Sequence, residues 1–320
     1  MKKSSYRVTA MINNRKVKSG IRLLPIIVLL TVAGCGGKSL TPISASRQDA
    51  IKYNLRGIKA EARGDRESAL VDFDESLRIN SAIENTDGMV VALVNISRVN
   101  RYKGETGAAR DAVDRAIDLI TPQSPLFSEV AYEKSKVSLQ SKDPADAREW
   151  AVKSLSAEKG SRRGSRLNLL ARILYLEGRL ADAEEKAKEA LALTRKAGLR
   201  EEEANSLRLL GGIFTSAKRP GEALEAYKQA LSLDKALGKS RKIASDLRGL
   251  ALLHVALNEP EQTMRFYQRA YTVSLNDGDV ESAAGDLLKM SQLYQKMGDK
   301  AKAERLLSAR DALLKRSEKH

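Results

Sequence analysis

The stretch from Leu207 to Leu231, LRLLGGIFTSAKRPGEALEAYKQAL, decides the fold class of this chain. Its first part places apolar and small residues at helical spacing, at Leu207, Leu210, Gly211 and Phe214. A polar turn follows, and small and aromatic residues then return at intervals of four and three, at Ala223, Tyr227 and Ala230. This spacing predicts two amphipathic helices joined by a short turn, because positions three and four apart share one face of a helix.

The same pattern recurs along the chain at an even interval. The first small residue of each second helix stands at positions 69, 109, 147, 183, 223, 263 and 303. The intervals are 40, 38, 36, 40, 40 and 40 residues. A single amphipathic hairpin cannot bury its apolar stripe alone, so repeated hairpins stack and share a continuous core. We expect Leu167, Leu170 and Leu174 to show the stripe of a first helix, and Ala183 and Ala187 the close-packed seam of a second.

These hairpins resemble the tetratricopeptide repeat, a helix-turn-helix unit in which small residues let the paired helices approach closely. The resemblance covers about residues 47–315, and it implies an all-α fold: a right-handed α-solenoid of about seven hairpins. The period near 40 exceeds the usual ~34 residues, which predicts longer helices. Individual copies depart from the pattern: the third has Lys142 at the loop glycine, and the sixth has Asn258 there and Thr263 in place of alanine.

A different kind of signal precedes the repeats. Seven basic residues and no acidic one come before an apolar stretch from Leu23 to Ala33, which ends near Cys35, the only cysteine. Eleven apolar residues suit the core of a secretory signal and are too few to span a bilayer. The run Val32-Ala33-Gly34-Cys35 resembles the lipobox of bacterial lipoproteins. A plain signal peptide, or a weak membrane anchor with an incidental cysteine, is the alternative, and Met11 is an alternative start.

The lipobox resemblance implies that residues 1–34 are a signal peptide and that Cys35 carries a diacylglycerol on sulfur and an acyl group on its new amino group. Three acyl chains would hold the protein on its membrane, whereas one chain alone binds only marginally. Gly36 follows the cysteine, which resembles the Gram-negative lipoproteins released to the outer membrane. We therefore expect a protein that its N-terminal lipid anchors in the cell envelope, at the periplasmic face of the outer membrane.

The anchor also sets the expected organisation of the exported chain. Residues 35–46 form the lipidated cysteine and a flexible tether, residues 47–158 the first three hairpins, and residues 159–320 the last four. The polar joint at residues 159–165 is the expected bend between the two groups. The net charge falls from +15 to +8 once the seven basic signal residues are removed. The acylated cysteine leaves no thiol for a disulfide.

Signals for catalysis are weak. His254 falls where the repeat usually has a buried aromatic residue, so we interpret it as a core or groove-edge histidine rather than a base or ligand. Gly211-Gly212 lies inside a predicted helix and is no phosphate loop, and Glu201 to Glu203 suit the start of a helix. No metal-ligand spacing, P-loop or nucleophile motif occurs. We expect a protein that is not an enzyme, with no cofactor, no metal and no small-molecule substrate.

Function is then expected on the inner face of the first helices, which lines the concave groove in this repeat. The register of the repeat places ten residues there: Asn54, Arg98, Arg101, Tyr132, Lys136, Asn168, Arg172, Tyr175, Arg208 and Arg248. Six are basic and none is acidic, which favours an acidic peptide or protein partner. The alternative is a solvated helix face in a chain rich in lysine and arginine. The aromatic residues that strand binding requires are missing, so no nucleic-acid partner is expected.

The sequence therefore indicates a periplasm-facing adaptor for protein–protein interaction in cell-envelope assembly. Its organisation is similar to that of the repeat lipoproteins that serve outer-membrane protein assembly, pilus or secretion machinery. The alternative function is a regulator that binds and modulates an envelope enzyme, such as a protease or a peptidoglycan synthase.

Overall fold

A computed structural model describes residues 44–317 of the chain, and in this range every regular element is a helix. Fourteen helices follow one another there: α1 Ala45–Ala62, α2 Arg66–Ala82, α3 Thr86–Lys103, α4 Thr106–Asp118, α5 Phe127–Gln140, α6 Pro144–Ala157, α7 Arg163–Leu176, α8 Leu180–Lys196, α9 Arg200–Ser216, α10 Pro220–Ala236, α11 Ser240–Ala256, α12 Pro260–Asn276, α13 Val280–Lys296 and α14 Lys300–Ser317. Each odd-numbered helix packs against the next even-numbered one, and each hairpin packs against its neighbours. The fold is the expected α-solenoid of seven hairpins.

Several helices begin next to an aspartate whose side chain accepts a hydrogen bond from a backbone N–H group of the first helical turn. Asp65, Asp143 and Asp279 each accept a hydrogen bond from the backbone N–H three residues later, at Ser68, Asp146 and Ser282. Proline stands at the first position of α6, α10 and α12. Proline suits that position because its missing N–H would have no partner within the helix. Local chemistry thus sets the start of these helices.

The turn within each hairpin requires one residue in the left-handed backbone region. Gly64, Gly104, Gly178 and Gly298 supply it in four hairpins, with φ between 78° and 85°. Lys142, Lys218 and Asn258 adopt the same conformation, with φ of 61°, 57° and 57°, in the three copies that lack glycine. These hairpins therefore keep the same turn without glycine. The left-handed conformation costs more free energy for a residue with a side chain than for glycine.

The seam predicted from the repeat interval is the buried centre of the solenoid. The residues at positions 69, 109, 147, 183, 223, 263 and 303 are all at most 1% exposed. Thr263 fits among the alanines because its hydroxyl donates to the carbonyl oxygen of Glu259, at 2.9 Å. Ser97, Ser135 and Ser291 donate across the seam to carbonyls of the paired helix, at 2.7 to 2.9 Å. Leu167, Leu170 and Leu174 are buried, as their spacing predicted.

The joint between the third and fourth hairpins is shorter than expected. Helix α7 begins at Arg163, so the last three residues of the predicted joint at 159–165 are helical. One core cluster also joins Ala147 and Ala151 of α6 to Leu170 of α7. The division into groups of three and four hairpins stays a prediction.

The predicted signal, Cys35 and most of the tether lie outside the described residues, as does His320. Within residues 44–317, none of the helices has the length and apolar content that crossing a membrane requires.

Candidate functional site

The odd-numbered helices form the inner layer of the solenoid. Besides neighbours in sequence, contacts join α1 to α3, α3 to α5, α5 to α7, α7 to α9 and α9 to α11. In the described part of the chain, no two even-numbered helices approach each other in this way. The first helices of successive hairpins are thus closer together than the second helices. The ten candidate residues lie on this inner layer, which we call the inner surface.

Basic residues of α3 and α5 surround one buried carboxylate on the inner surface. Glu133 of α5 is fully buried and accepts a hydrogen bond from Nε of Arg101 at 2.6 Å. Nζ of Lys136 lies 3.4 Å from the same carboxylate, and Nε of Arg98 lies 4.0 Å from it. Burial lowers the pKa of the Lys136 ammonium, and the charge of Glu133 opposes that shift. The positive charge of this cluster is therefore partly neutralised within the fold.

Tyr132 belongs to a second buried group at the junction of α5 and α7. The guanidinium of Arg166 lies 4.1 Å from the centre of the Tyr132 ring, and its Nη2 is 2.6 Å from Oε2 of Glu129. Arg166 itself is 2% exposed. Burial raises the pKa of the Tyr132 hydroxyl to about 12. Tyr132 therefore packs within the layer and offers only part of its ring to a partner.

Arg208 and Arg248 each bind acidic or polar residues of the following helices. Nε of Arg208 on α9 donates to Oδ1 of Asp246 on α11 at 2.6 Å, and Nη2 pairs with Asp234 of α10. Nε of Arg248 donates to Oδ1 of Asp286 on α13 at 2.7 Å. Arg208 and Arg248 are thus each joined to a carboxylate 38 residues later. These pairs link successive hairpins.

The fold also brings acidic residues to this surface, which the charge argument for an acidic partner did not include. Of the six basic candidates, five lie beside carboxylates that the fold brings to them: Arg98, Arg101, Lys136, Arg208 and Arg248. The acidic partners were missed because they stand on a different helix, far along the sequence. A signal existed, since aspartate recurs at the 40-residue interval, at Asp246 and Asp286, each 38 positions after the arginine that it binds.

Arg172 is the exception among the six. Its side chain is exposed and makes no hydrogen bond or ion pair with any described residue. The equivalent positions in the next two hairpins, 40 and 80 residues later, are Gly212 and Leu252. Leu252 is 52% exposed, and Val255, one turn along α11, is 48% exposed. Arg172, the space beside Gly212, and Leu252 thus form one row across α7, α9 and α11.

Tyr175 stands beside this row. Its hydroxyl lies 3.0 Å from Oγ of Ser216 on α9. A methyl group at Gly212 would stand 3.7 Å from the same hydroxyl, in ordinary contact. The tyrosine therefore reaches from α7 to α9 and lies beside Gly212.

The two candidate asparagines lie in different settings. Oδ1 of Asn54 accepts a hydrogen bond from Asn95 at 2.8 Å, which joins α1 to α3. Nδ2 of Asn168 lies 3.5 Å from the carbonyl oxygen of Glu202, and its Oδ1 is buried without a partner in the described structure. Asn168 therefore keeps one hydrogen-bonding atom unused, one turn before Arg172.

The remaining sequence signals have structural roles. His254 stacks on Phe266 with ring centres 5.2 Å apart, and its Nδ1 lies 2.5 Å from Oε2 of Glu259. Gly211 packs against the ring of Tyr227 in the interior of α9. In residues 44–317, no group of three or more histidine, cysteine, aspartate or glutamate side chains could hold a metal ion.

Comparisons with known proteins agree with the repeat geometry. Residues 165–236 match the family model of the tetratricopeptide repeat. No curated protein matches the sequence.

Solved structures share the fold at low sequence identity. A Rap protein complexed with Competence and Sporulation Factor has a TM-score of 0.65 at 16% identity, over 84% of this chain and 77% of that one. Aspartyl phosphate phosphatase F from Bacillus subtilis has a TM-score of 0.62 at 14% identity, over 84% and 70%. PilW, a type IV pilus biogenesis factor, has a TM-score of 0.55 at 16% identity, over 74% and 97%. The chain thus carries tetratricopeptide repeats on an α-solenoid whose fold it shares with these proteins.

Proposed function

We propose that this protein is an adaptor that binds a segment of a partner protein on the inner surface at α7, α9 and α11. The row of Arg172, Gly212 and Leu252 carries the proposal, because it combines an unpaired cation, a position without a side chain and an exposed aliphatic side chain. Elsewhere on the inner surface, the charged side chains of the fold largely satisfy each other. The protein acts by binding rather than by catalysis.

The row also defines the chemistry of the partner segment. Leu252 and Val255 suit an aliphatic or aromatic side chain, and the space beside Gly212 lets the partner backbone come close to α9. The guanidinium of Arg172 suits a carboxylate, which it can bind through two parallel hydrogen bonds. The partner therefore carries an apolar anchor and, toward α7, an acidic residue.

The cellular setting follows from the N-terminal segment. Cys35, in its lipobox-like run, would be the lipid anchor that holds the repeats at the periplasmic face of the outer membrane. An adaptor placed there suits the assembly of envelope machinery. The fold it shares with PilW, a type IV pilus biogenesis factor, is compatible with that setting.

Photocrosslinking tests the binding surface. A photoreactive amino acid replaces Leu252 in one variant of the full chain and Val152 of α6 in the control, since both side chains are about half exposed, at 52% and 46%. We expect a discrete crosslinked partner from Leu252 and not from Val152. The crosslink should weaken when Arg172→Glu is added. Equal crosslinking from both positions, or from neither, would contradict the proposal.

The identity of the crosslinked protein separates the two functions. A barrel, pilus or secretion component supports the assembly adaptor. A protease or peptidoglycan synthase supports the regulator instead. The activity of that enzyme, measured with and without this protein, would then show whether it is modulated.

A further inference from the structure

The outward face of the first helix is apolar. Ile51, Leu55 and Ile58 follow one another at intervals of four and three residues, so they form one stripe along α1. They are 45%, 51% and 41% exposed. The opposite side of α1 is buried, at Ala50 and Ala60 among others. No described helix covers the stripe, since α1 packs only against α2 and α3.

This face is unusual for the end of a solenoid. Terminal repeats normally expose a polar outer face, because no further repeat covers them. Helix α14, at the other end, follows that rule: its exposed positions are lysine, arginine, glutamate, aspartate, serine or alanine. The apolar stripe is therefore specific to the end of the solenoid nearest the N-terminus.

Basic side chains border the stripe. Lys52 and Lys59 each follow an isoleucine of the stripe by one position, so both lie on the same flank of the helix. Both are exposed, and neither forms an ion pair with a described residue. Asp49 and Lys52 both line the cleft between α1 and α2, and Glu61 lies on the other flank of the stripe. A helix with an apolar face and lysines beside it is typical of a membrane interface.

We infer that the stripe of Ile51, Leu55 and Ile58 rests on the surface of the membrane, with Lys52 and Lys59 against anionic phospholipid headgroups. The inference rests on the proposed lipid anchor, because Ser44, the N-cap of α1, stands nine positions after Cys35. Nine residues reach at most about 30 Å, so the anchor would hold α1 close to the bilayer. The contact would place the first hairpin at the membrane. The proposed binding surface at α7, α9 and α11 belongs to later hairpins and is not part of this contact.

A second copy of the chain suits the stripe less well. Specific interfaces between proteins bury roughly 1,200–2,000 Å² in total, and three half-exposed aliphatic side chains supply only a small part of that area. Lipid headgroups also complement Lys52 and Lys59, whereas a symmetric pairing of α1 helices would bring lysines of both copies together.

Fluorescence quenching by brominated lipid tests the contact without the natural anchor. The probe is a protein of residues 36–320 with an N-terminal histidine tag, tethered to phosphatidylethanolamine–phosphatidylglycerol vesicles by a nickel-chelating lipid. Residues 43–320 form a compact unit that contains every core cluster, so this protein keeps the fold. Trp150→Phe removes the only tryptophan, and Leu55→Trp provides the reporter. Leu176→Trp on α7 is the matched control, since Leu176 is also exposed.

We expect strong quenching of the reporter at position 55 and little at position 176. Lys52→Glu with Lys59→Glu should reduce the quenching, as should vesicles that lack phosphatidylglycerol. Without the tether, replacing Ile51 and Ile58 by serine should lower vesicle binding at least about tenfold. Equal quenching at both positions overturns the inference, as does a dimer that dissociates on the serine substitutions. The histidine tag replaces the natural anchor in this experiment. Absence of fatty acid on Cys35 would therefore overturn the proposed anchor but not the contact of α1 with lipid.

Discussion

Nε of Arg208 on α9 lies 2.6 Å from Oδ1 of Asp246 on α11, and the same guanidinium pairs with Asp234 on α10. One cation therefore binds two carboxylates from two other helices, and both carboxylates are fully buried. One oxygen of each, Oδ1 of Asp234 and Oδ2 of Asp246, has no further partner in the described structure. The stability of this junction depends on the single arginine.

Removal of that arginine should be costly. Arg208→Met keeps most of the side-chain volume and leaves Asp234 and Asp246 without a cation. Breaking a buried ion pair by removing one partner costs about 3–5 kcal/mol, so we expect a loss of that order in the free energy of unfolding. Chemical denaturation followed by circular dichroism measures it. Arg172→Met, at an exposed and unpaired arginine, is the control and should change stability by less than about 0.5 kcal/mol. Equal effects would mean that the junction is not a stabilising element.

Stability should depend on pH through Asp246. Burial raises the pKa of its carboxyl group to about 7, and the neighbouring Asp234 adds to the shift, whereas Arg208 opposes it. An unfolded aspartate titrates near its ordinary value of about 4. The folded state thus binds the proton more tightly, and the stability from this group decreases as pH rises from about 4 to about 7.

The comparison of wild type with Asp246→Asn isolates this effect. Asparagine does not titrate, so the difference in unfolding free energy, wild type minus variant, should fall across that pH range and stay constant above it. Denaturation at a series of pH values provides the measurement. A difference that rises with pH would show that Arg208 dominates and that the pKa of Asp246 is lowered.

The ring of Tyr227 is packed between two glycines, and this arrangement makes a sharp prediction. A methyl group at Gly249 would stand 2.2 Å from Cε1 of Tyr227, and one at Gly211 would stand 2.8 Å from it. Gly249→Ala should therefore destabilise the fold by about 1–3 kcal/mol, because the ring has no room to move. In Gly285→Ala the added methyl group meets no atom within 4 Å, and helix propensity should stabilise the protein by about 0.5–1 kcal/mol. Thermal unfolding of both variants provides the measurement. A change in melting temperature of the same sign in both variants would contradict this account.

The inner surface should lose its partner without losing stability. Arg172→Glu removes the unpaired cation of the row, and Leu252→Ser removes the exposed apolar contact. We expect the double variant to weaken binding of the crosslinked partner at least about tenfold, measured by titration. Arg248→Glu is a poor probe of the partner, because it would also place a negative charge beside the buried Asp286. Val152→Ser with Lys153→Glu, on α6, is the control for a general change of surface. Unchanged affinity in the double variant would place the partner elsewhere.

The anchor has its own test. In Cys35→Ala the thiol that would accept the diacylglycerol is absent, so we expect a precursor that keeps residues 1–34 and carries no lipid. Metabolic labelling with palmitate, followed by gel electrophoresis, shows both outcomes. Equal labelling of wild type and variant would contradict the lipoprotein assignment.

Local and periodic properties of the chain were enough to predict the fold. The 40-residue interval of small residues, Ala183 and Ala223 among them, predicted the seven hairpins, because a helix seam buried at close approach accepts only small side chains. The helical position of Gly211-Gly212 and the acidic start of α9 also followed from local propensity. The interval could not show how Lys142 would replace a glycine, since the turn depends on backbone conformation that the packed helices impose.

Only the tertiary structure decided which arginines of the inner surface form ion pairs within the fold. In the sequence, Arg172, Arg208 and Arg248 all fall on inner positions of successive hairpins, and all three look free. Stacking brings Asp246 to Arg208 and Asp286 to Arg248, and it leaves Arg172 without a carboxylate. Periodicity determines the face on which a side chain lies, but an ion pair also requires a partner from another helix within about 4 Å. That distance is set by how the hairpins pack, and so it separates one exposed, unpaired arginine from two that link successive hairpins.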